Sequence, residues 1–133
     1  MNDIESKDNH KIKLIRKLSQ RKNRDALGMA VLEGLRAVEQ AIYLEAEIEF
    51  IAIDENQAEL FQKVSQNTRI EGGKIHLVKS SVFNAVAETV STQGIIAVVK
   101  IPDFNIEQII NGQAKKLLLV DRVQDPGNFG TLI

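Results

Sequence analysis

Leu117-Leu118-Leu119-Val120, followed by Asp121-Arg122-Val123-Gln124-Asp125-Pro126-Gly127-Asn128-Phe129-Gly130-Thr131-Leu132-Ile133, is the stretch on which the reading of this chain turns. The four leading residues form an apolar run without polar alternation, the pattern of a strand covered on both faces in a mostly parallel sheet. Asp121 ends it. Asp125 before Pro126 is a helix N-cap pattern with proline at the first helical position, and turn-forming residues crowd together as far as Gly130. Strand, glycine-bearing turn and helix start therefore follow one another. That order sets backbone N–H groups and the Asn128 side chain beyond the carboxyl end of a strand, where open α/β sheets bind ligands. The glycines alone fit a generic strand-to-helix turn equally well.

The full string D-R-V-Q-D-P-G-N-F-G resembles the first signature motif of the SpoU (TrmH-like) RNA ribose 2′-O-methyltransferases of the SPOUT superfamily, a strand followed by D-x-x-x-D-P-x-N-x-G-x-x-x-R. Asp121, Asp125, Pro126, Asn128 and Gly130 match. The arginine of the pattern, to which the resemblance assigns a central catalytic role, would fall at position 134, one residue past Ile133. The resemblance implies that S-adenosylmethionine supplies the methyl group from a trefoil knot formed by later segments. It places Asn128 in the active site, Asp125, Pro126, Gly127 and Gly130 in the motif turn, and no cofactor-binding residue within these 133.

The 133 residues suit one domain of ordinary size with part of a second, and the apolar and charged fractions are those of a globular protein. No run approaches the roughly 18 apolar residues of a membrane helix, and the start is polar and unlike a signal peptide, so a cytoplasmic location without membrane association is expected. With no cysteine, disulfides, zinc–thiolate sites and thiol nucleophiles are excluded, and His10 and His76 lack metal-ligand spacing. No metal is expected.

The net charge of −1 hides an asymmetry. Lys11, Lys13, Arg16, Lys17, Arg21, Lys22 and Arg24 occur with no acidic residue among them, whereas the remainder is net acidic. At 100° per residue Ile12, Leu14, Ile15 and Leu18 gather on one side of a helix, with Lys13, Arg16 and Lys17 on the other. Such a face is either solvated or set against phosphates, and the absence of interspersed acids favours phosphates. The seven cations are the expected RNA-binding residues.

Residues 1–10 read as a flexible tail, and Gln20 to Asp25 as a polar link. Met29 to Leu32 reads as a strand turning at Glu33-Gly34 into a helix with Leu35, Val38 and Ile42 inward. Ile48 to Ile53 is the next strand, before a helix with Leu60, Phe61 and Val64 inward. Lys74 to Val78 is another strand, after which Ser80 or Ser81 caps a helix carrying Phe83, Val86 and Val90. Ser91-Thr92-Gln93-Gly94 turns into a strand from Ile95 to Val99. Phe104 to Ile110 reads as a short helix ended by Asn111-Gly112. Alternating strands and helices of these lengths imply α/β layers. The basic helix, R-K-N-R-D and E-G-L-R-A-V-E-Q-A resemble the opening of the substrate-binding domain attached to many SpoU-family enzymes, and Gln93-Gly94-Ile95 resembles a family P-Q-G-I string with Thr92 in place of proline.

The expected organisation is a three-layer, ribosomal-protein-like α/β RNA-substrate-binding domain over 11–100 and a linker over 101–116. At 117–133 follow the first strand and turn of a truncated SPOUT trefoil-knot α/β domain. The implied activity is S-adenosylmethionine-dependent 2′-O-methylation of structured RNA, ribosomal or transfer, by a parent enzyme that dimerises through its catalytic domain; the 133-residue chain alone is expected to be inactive. The alternative is a non-enzymatic RNA-binding module, ribosomal-protein-like or KH-like, with GNFG as the G-x-x-G loop. A nucleotide-binding domain lacks support, because no G-x-G-x-x-G or phosphate-loop lysine follows any strand.

Overall fold

The computed structural model describes residues 3–67, 69–87, 93–112 and 116–132. Val90, Ser91 and Thr92, expected in a helix end and a turn, lie outside them. Contacts divide the chain into two compact units, Met1–Pro102 and Asp103–Ile133.

The first unit begins with α1 (His10–Leu18), where Asn9 Oδ1 accepts the Lys11 N–H at 2.9 Å and caps the first turn. Ile12, Ile15 and Leu18 are buried and Leu14 half-buried, the stripe expected from their spacing. Then follow α2 (Arg21–Leu27), β1 (Met29–Glu33), α3 (Leu35–Tyr43), β2 (Ile48–Asp54) and α4 (Ala58–Ser65). A 3-10 turn at Gly72–Lys74 leads to β3 (Ile75–Val78), α5 (Ser80–Phe83) and β4 (Ile95–Lys100).

The sheet order is β1-β4-β2-β3. β4 runs antiparallel to both neighbours, with Met29 opposite Lys100 and Ile53 opposite Ile95, while β2 and β3 are parallel. The carboxyl ends of β1, β2 and β3 thus lie at one end of the sheet, where β4 starts. Side chains alternate between faces. Ile51, Ile53, Ile95, Ala97 and Val99 pack with Val38, Ala41, Ile42 and Val64 from α3 and α4. Phe50, Ala52, Ile96 and Val98 pack with Ile12, Ile15, Leu18, Val82 and Phe83 from α1 and α5. Helices therefore cover both faces, so β4 must be apolar on both sides, and Ile95 to Val99 is.

Three local expectations are corrected. Ile4, in the segment read as a flexible tail, is buried and bridges Val78 in parallel; its N–H donates to the Leu77 carbonyl at 2.7 Å and its carbonyl accepts from the Lys79 N–H at 2.9 Å. It covers the exposed edge of β3, which otherwise leaves backbone groups unpaired. Most of the expected polar link at Gln20 to Asp25 is helical, in α2, stopped by Gly28 in the left-handed region at φ 60°. Helix α5 is not capped by a serine side chain: Glu55 Oε1 accepts the Ser80 N–H at 3.0 Å from another loop.

The second unit contains α6 (Ile106–Ile110), capped by Asn105 at the Glu107 N–H, and α7 (Pro126–Leu132). Leu117 to Val120 forms no strand or helix and pairs with no strand among the described residues, and Leu119 is 96% exposed. This corrects the expected buried strand: apolar sequence supplies the propensity, but a strand exists only through a ladder.

Candidate nucleic-acid interface

The seven cations of the basic segment lie on α1 and α2, and the structure sorts them by what they already hold. Arg24 is committed: its Nη1 donates to the Leu18 carbonyl at 2.9 Å and the Ser19 carbonyl at 2.8 Å, closing off the end of α1. Asn23 adds a bond from Nδ2 to the Lys17 carbonyl at 2.8 Å. Carbonyls left over at a helix carboxyl end attract such donors, and these contacts make a helix of residues without apolar periodicity. Lys11 is half-buried, its ammonium 4.9 Å from the centroid of the Phe50 ring, within cation–π range.

Lys13 pairs with Asp8 at 2.9 Å, and its hydrogen bond and charge hold the Asp8 carboxyl below the usual carboxylate range. Arg21 stands 3.6 Å from Asp25 one turn away. Both pairs are largely exposed and contribute little, so either opens readily for a phosphate. Arg16, Lys17 and Lys22 are exposed and hold no side-chain hydrogen bond or ion pair among the described residues. These three are the cations most available to an anionic partner.

A second cluster forms at the carboxyl ends of β1, β2 and β3. Buried Asp54 uses Oδ1 to accept the Ser80 hydroxyl and the Asn56 N–H, the latter at 2.9 Å, while Asn56 Nδ2 donates to Ser80 Oγ at 2.7 Å. Beside it, Gln93 Oε1 accepts the Leu35 N–H at 2.7 Å, and the Gly34 N–H donates to the Ile95 carbonyl at 3.0 Å. Gly34 takes φ 98°, which suits glycine at the Glu33-Gly34 turn. Two segments singled out separately in the sequence, Glu33-Gly34 and Gln93-Gly94, thus meet. The sequence signal for that meeting was only the pair of short glycine motifs, 60 residues apart.

In the second unit, Asp125 Oδ1 accepts the Asn128 N–H at 2.7 Å, and the Asp125 carbonyl accepts the Phe129 N–H at 3.0 Å. Asp125 is therefore the N-cap of α7, with Pro126 as the first helical residue. A Cβ on Gly127 would lie 3.0 Å from Asp125 Oδ1, so the cap carboxylate folds over a residue that has none. Asn128 contributes backbone to this turn, and its exposed carboxamide holds no hydrogen bond among the described residues. Gly127 to Gly130 lie inside α7, which does not match a G-x-x-G loop joining two helices.

Among the described residues, no three His, Cys, Asp or Glu side chains group to hold a metal ion, and no helix is long and apolar enough to cross a membrane.

Residues 9–97 match the family model of the MRM3-like substrate binding domain. Over 138 aligned residues the chain is 33% identical to the 23S rRNA (guanosine(2553)-2′-O)-methyltransferase RlmP of Bacillus subtilis, covering 100% of this chain and 49% of that protein. The AdoMet-bound rRNA methyltransferase from Sinorhizobium meliloti superposes with a TM-score of 0.60 at 26% identity, over 76% of this chain and 37% of that one. An RNA 2′-O ribose methyltransferase structure shares the fold at a TM-score of 0.66 and 22% identity, over 96% of this chain and 48% of that one. The chain spans about half the length of the curated relatives it matches. With residues 9–97, about two thirds of the chain, matched to that model, the chain belongs to the family of MRM3-like substrate binding domains and is homologous to about half of RlmP.

Proposed function

We propose that this chain is the RNA-binding portion, with the first motif of the catalytic domain, of an enzyme that methylates a ribose 2′-hydroxyl of ribosomal RNA in the cytoplasm and works as a homodimer. The observation that carries this reading is the Asp125-capped turn, which leaves the Asn128 carboxamide available at the head of a helix in a chain otherwise matched to a substrate-binding domain. Residues 11–100 form the three-layer, ribosomal-protein-like RNA-binding domain, 101–116 the linker and 117–133 the start of the SPOUT domain.

Asn128 is the catalytic-site residue of this stretch, with Asp125, Pro126, Gly127 and Gly130 shaping its turn. Its carboxamide both donates and accepts, which suits holding a ribose or phosphate oxygen in line for transfer. Arg16, Lys17 and Lys22 contact phosphates directly, Lys13 and Arg21 join by exchanging their surface partners, and Lys11 and Arg24 hold the helices. Phosphate contacts of this kind fix register and leave sequence choice to base contacts.

S-adenosylmethionine is the methyl donor that the family implies. Every described side chain from 103 to 132 is exposed, so these residues alone form no enclosed cradle and do not fit the cofactor.

The test pairs RNA binding by the chain with transfer of radiolabelled methyl from S-adenosylmethionine to ribosomal RNA by the whole protein, followed by digestion to nucleosides. A 2′-O-methylated nucleoside is expected. Methyl on a base, or RNA binding without transfer, would overturn the enzymatic reading.

A further inference from the structure

Between the first turns of α3 and α4 lies a shallow groove of about 390 Å³, lined by Leu35, Gln57, Glu59, Leu60, Lys63 and Gln93. Its apolar part comes from half-buried Leu35 and Leu60, and its polar part from two carboxamides. Gln93 is fixed, because its Oε1 already accepts the Leu35 N–H; its NH₂ holds no hydrogen bond among the described residues. Gln57 differs. No hydrogen bond to its side chain is present among the described residues, so its acceptor and donors are both available.

The support beneath Gln57 is firm. Its N–H donates to the Asp54 carbonyl at 2.8 Å, and buried Asp54 is tied in turn to Asn56 and Ser80. Its aliphatic stem lies so close over Gly94 that a Cβ there would fall 2.5 Å from Gln57 Cγ. Gly94, at φ 71°, is the residue type that allows this approach.

The charges argue for the kind of ligand. Lys63 is paired with Glu39 at 2.6 Å, and Glu59 is the other ionised residue of the groove. With Glu39 and Glu59 around a single ammonium, this rim attracts a phosphate less than the cations of α1 and α2 do. A nucleobase fits instead: it offers apolar faces to Leu35 and Leu60 and an edge where donor and acceptor stand side by side, the complement of a primary carboxamide. The volume lies at the small end of ligand sites, which suits one base.

We propose that this groove receives one unpaired base of the RNA substrate, with Gln57 reading its edge and Gln93 bounding the site. The proposal rests on the RNA-binding reading and deepens it, since it supplies the base selection that the cations of α1 and α2 lack.

The probe is a fluorescein-labelled RNA hairpin with a mixed six-nucleotide loop, compared with the same hairpin whose loop residues are abasic. The chain should prefer the intact loop by about five- to 150-fold, the discrimination typical of one hydrogen-bonded edge. Gln57→Met, similar in length but without the carboxamide, should remove most of that preference and leave the salt dependence of binding unchanged. Gln57 makes no side-chain cap to α4, so the variant should fold, and a thermal melt checks this. A preference that survives Gln57→Met, or equal binding of both hairpins, overturns the groove while leaving the cationic interface standing. Failure to bind either hairpin overturns both.

Discussion

Replacing Arg16, Lys17 and Lys22 together with glutamine tests the cationic interface where the structure leaves it most exposed. None of the three holds a side-chain partner among the described residues, so the triple variant removes charge without opening an internal contact. If each meets one phosphate, the log–log salt slope should fall by about 2 to 3, at 0.7–0.9 per contact. Between about 50 and 200 mM salt, the lost sensitivity amounts to about 20- to 40-fold in affinity. Fluorescence anisotropy with a labelled hairpin across a salt series measures the slope, and circular dichroism confirms an unchanged melt. A Lys13→Gln, Arg21→Gln double variant provides the comparison and should lower the slope by less, because those cations begin in ion pairs. An unchanged slope in the triple variant, or an equal fall in the double, would refute this division of roles.

Arg24→Gln should behave in the opposite way, destabilising the chain by about 1–3 kcal/mol through the lost carbonyl contacts of a charged donor, with little change in salt slope; urea denaturation alongside the salt series checks both parts. Phe83→Ala should cost about 3–5 kcal/mol because Phe83 is fully buried, whereas half-buried Phe61 should lose less than about half of that; equal losses in chemical denaturation would contradict the packing. Calorimetric titration of the 133-residue chain with S-adenosylmethionine should show no micromolar site, and a methyl-transfer assay no product; either would mean that the cofactor's contacts lie within these residues.

The parts of the fold legible in the sequence were those in which one residue, or one period, carries the physics. Ile12, Ile15 and Leu18 announce α1 through their spacing, and Asp125-Pro126 announces α7 through its cap. Helix α2 lacks that signal: its order comes from Asn23 and Arg24 reaching carbonyls of the preceding turn, a tertiary contact between polar residues. Ile4 is a single apolar residue in a charged segment, and one residue has no period; the edge of β3 gives it a place. Leu117 to Val120 is the converse case, with apolar composition clear and the ladder that would make a strand absent among the described residues.

The candidate site divides along the same line. Charge clustering located the basic helices, but charge alone ranks seven cations equally, and only their partners separate Arg24, which holds two carbonyls, from Lys22, which holds none among the described residues. The groove had no comparable signal. Its carboxamides come from Gln57 after β2 and Gln93 before β4, and they share a wall because β2 and β4 are antiparallel neighbours with Ile53 opposite Ile95. A one-residue slip in that pairing would turn the flanking side chains to the other face of the sheet. Gly94 must also stay without a Cβ for the Gln57 stem to lie where it does. Base choice, on this view, depends on strand register and on one glycine as much as on the carboxamide that touches the base, so substitutions at Gly94 should alter RNA selection before they alter phosphate binding.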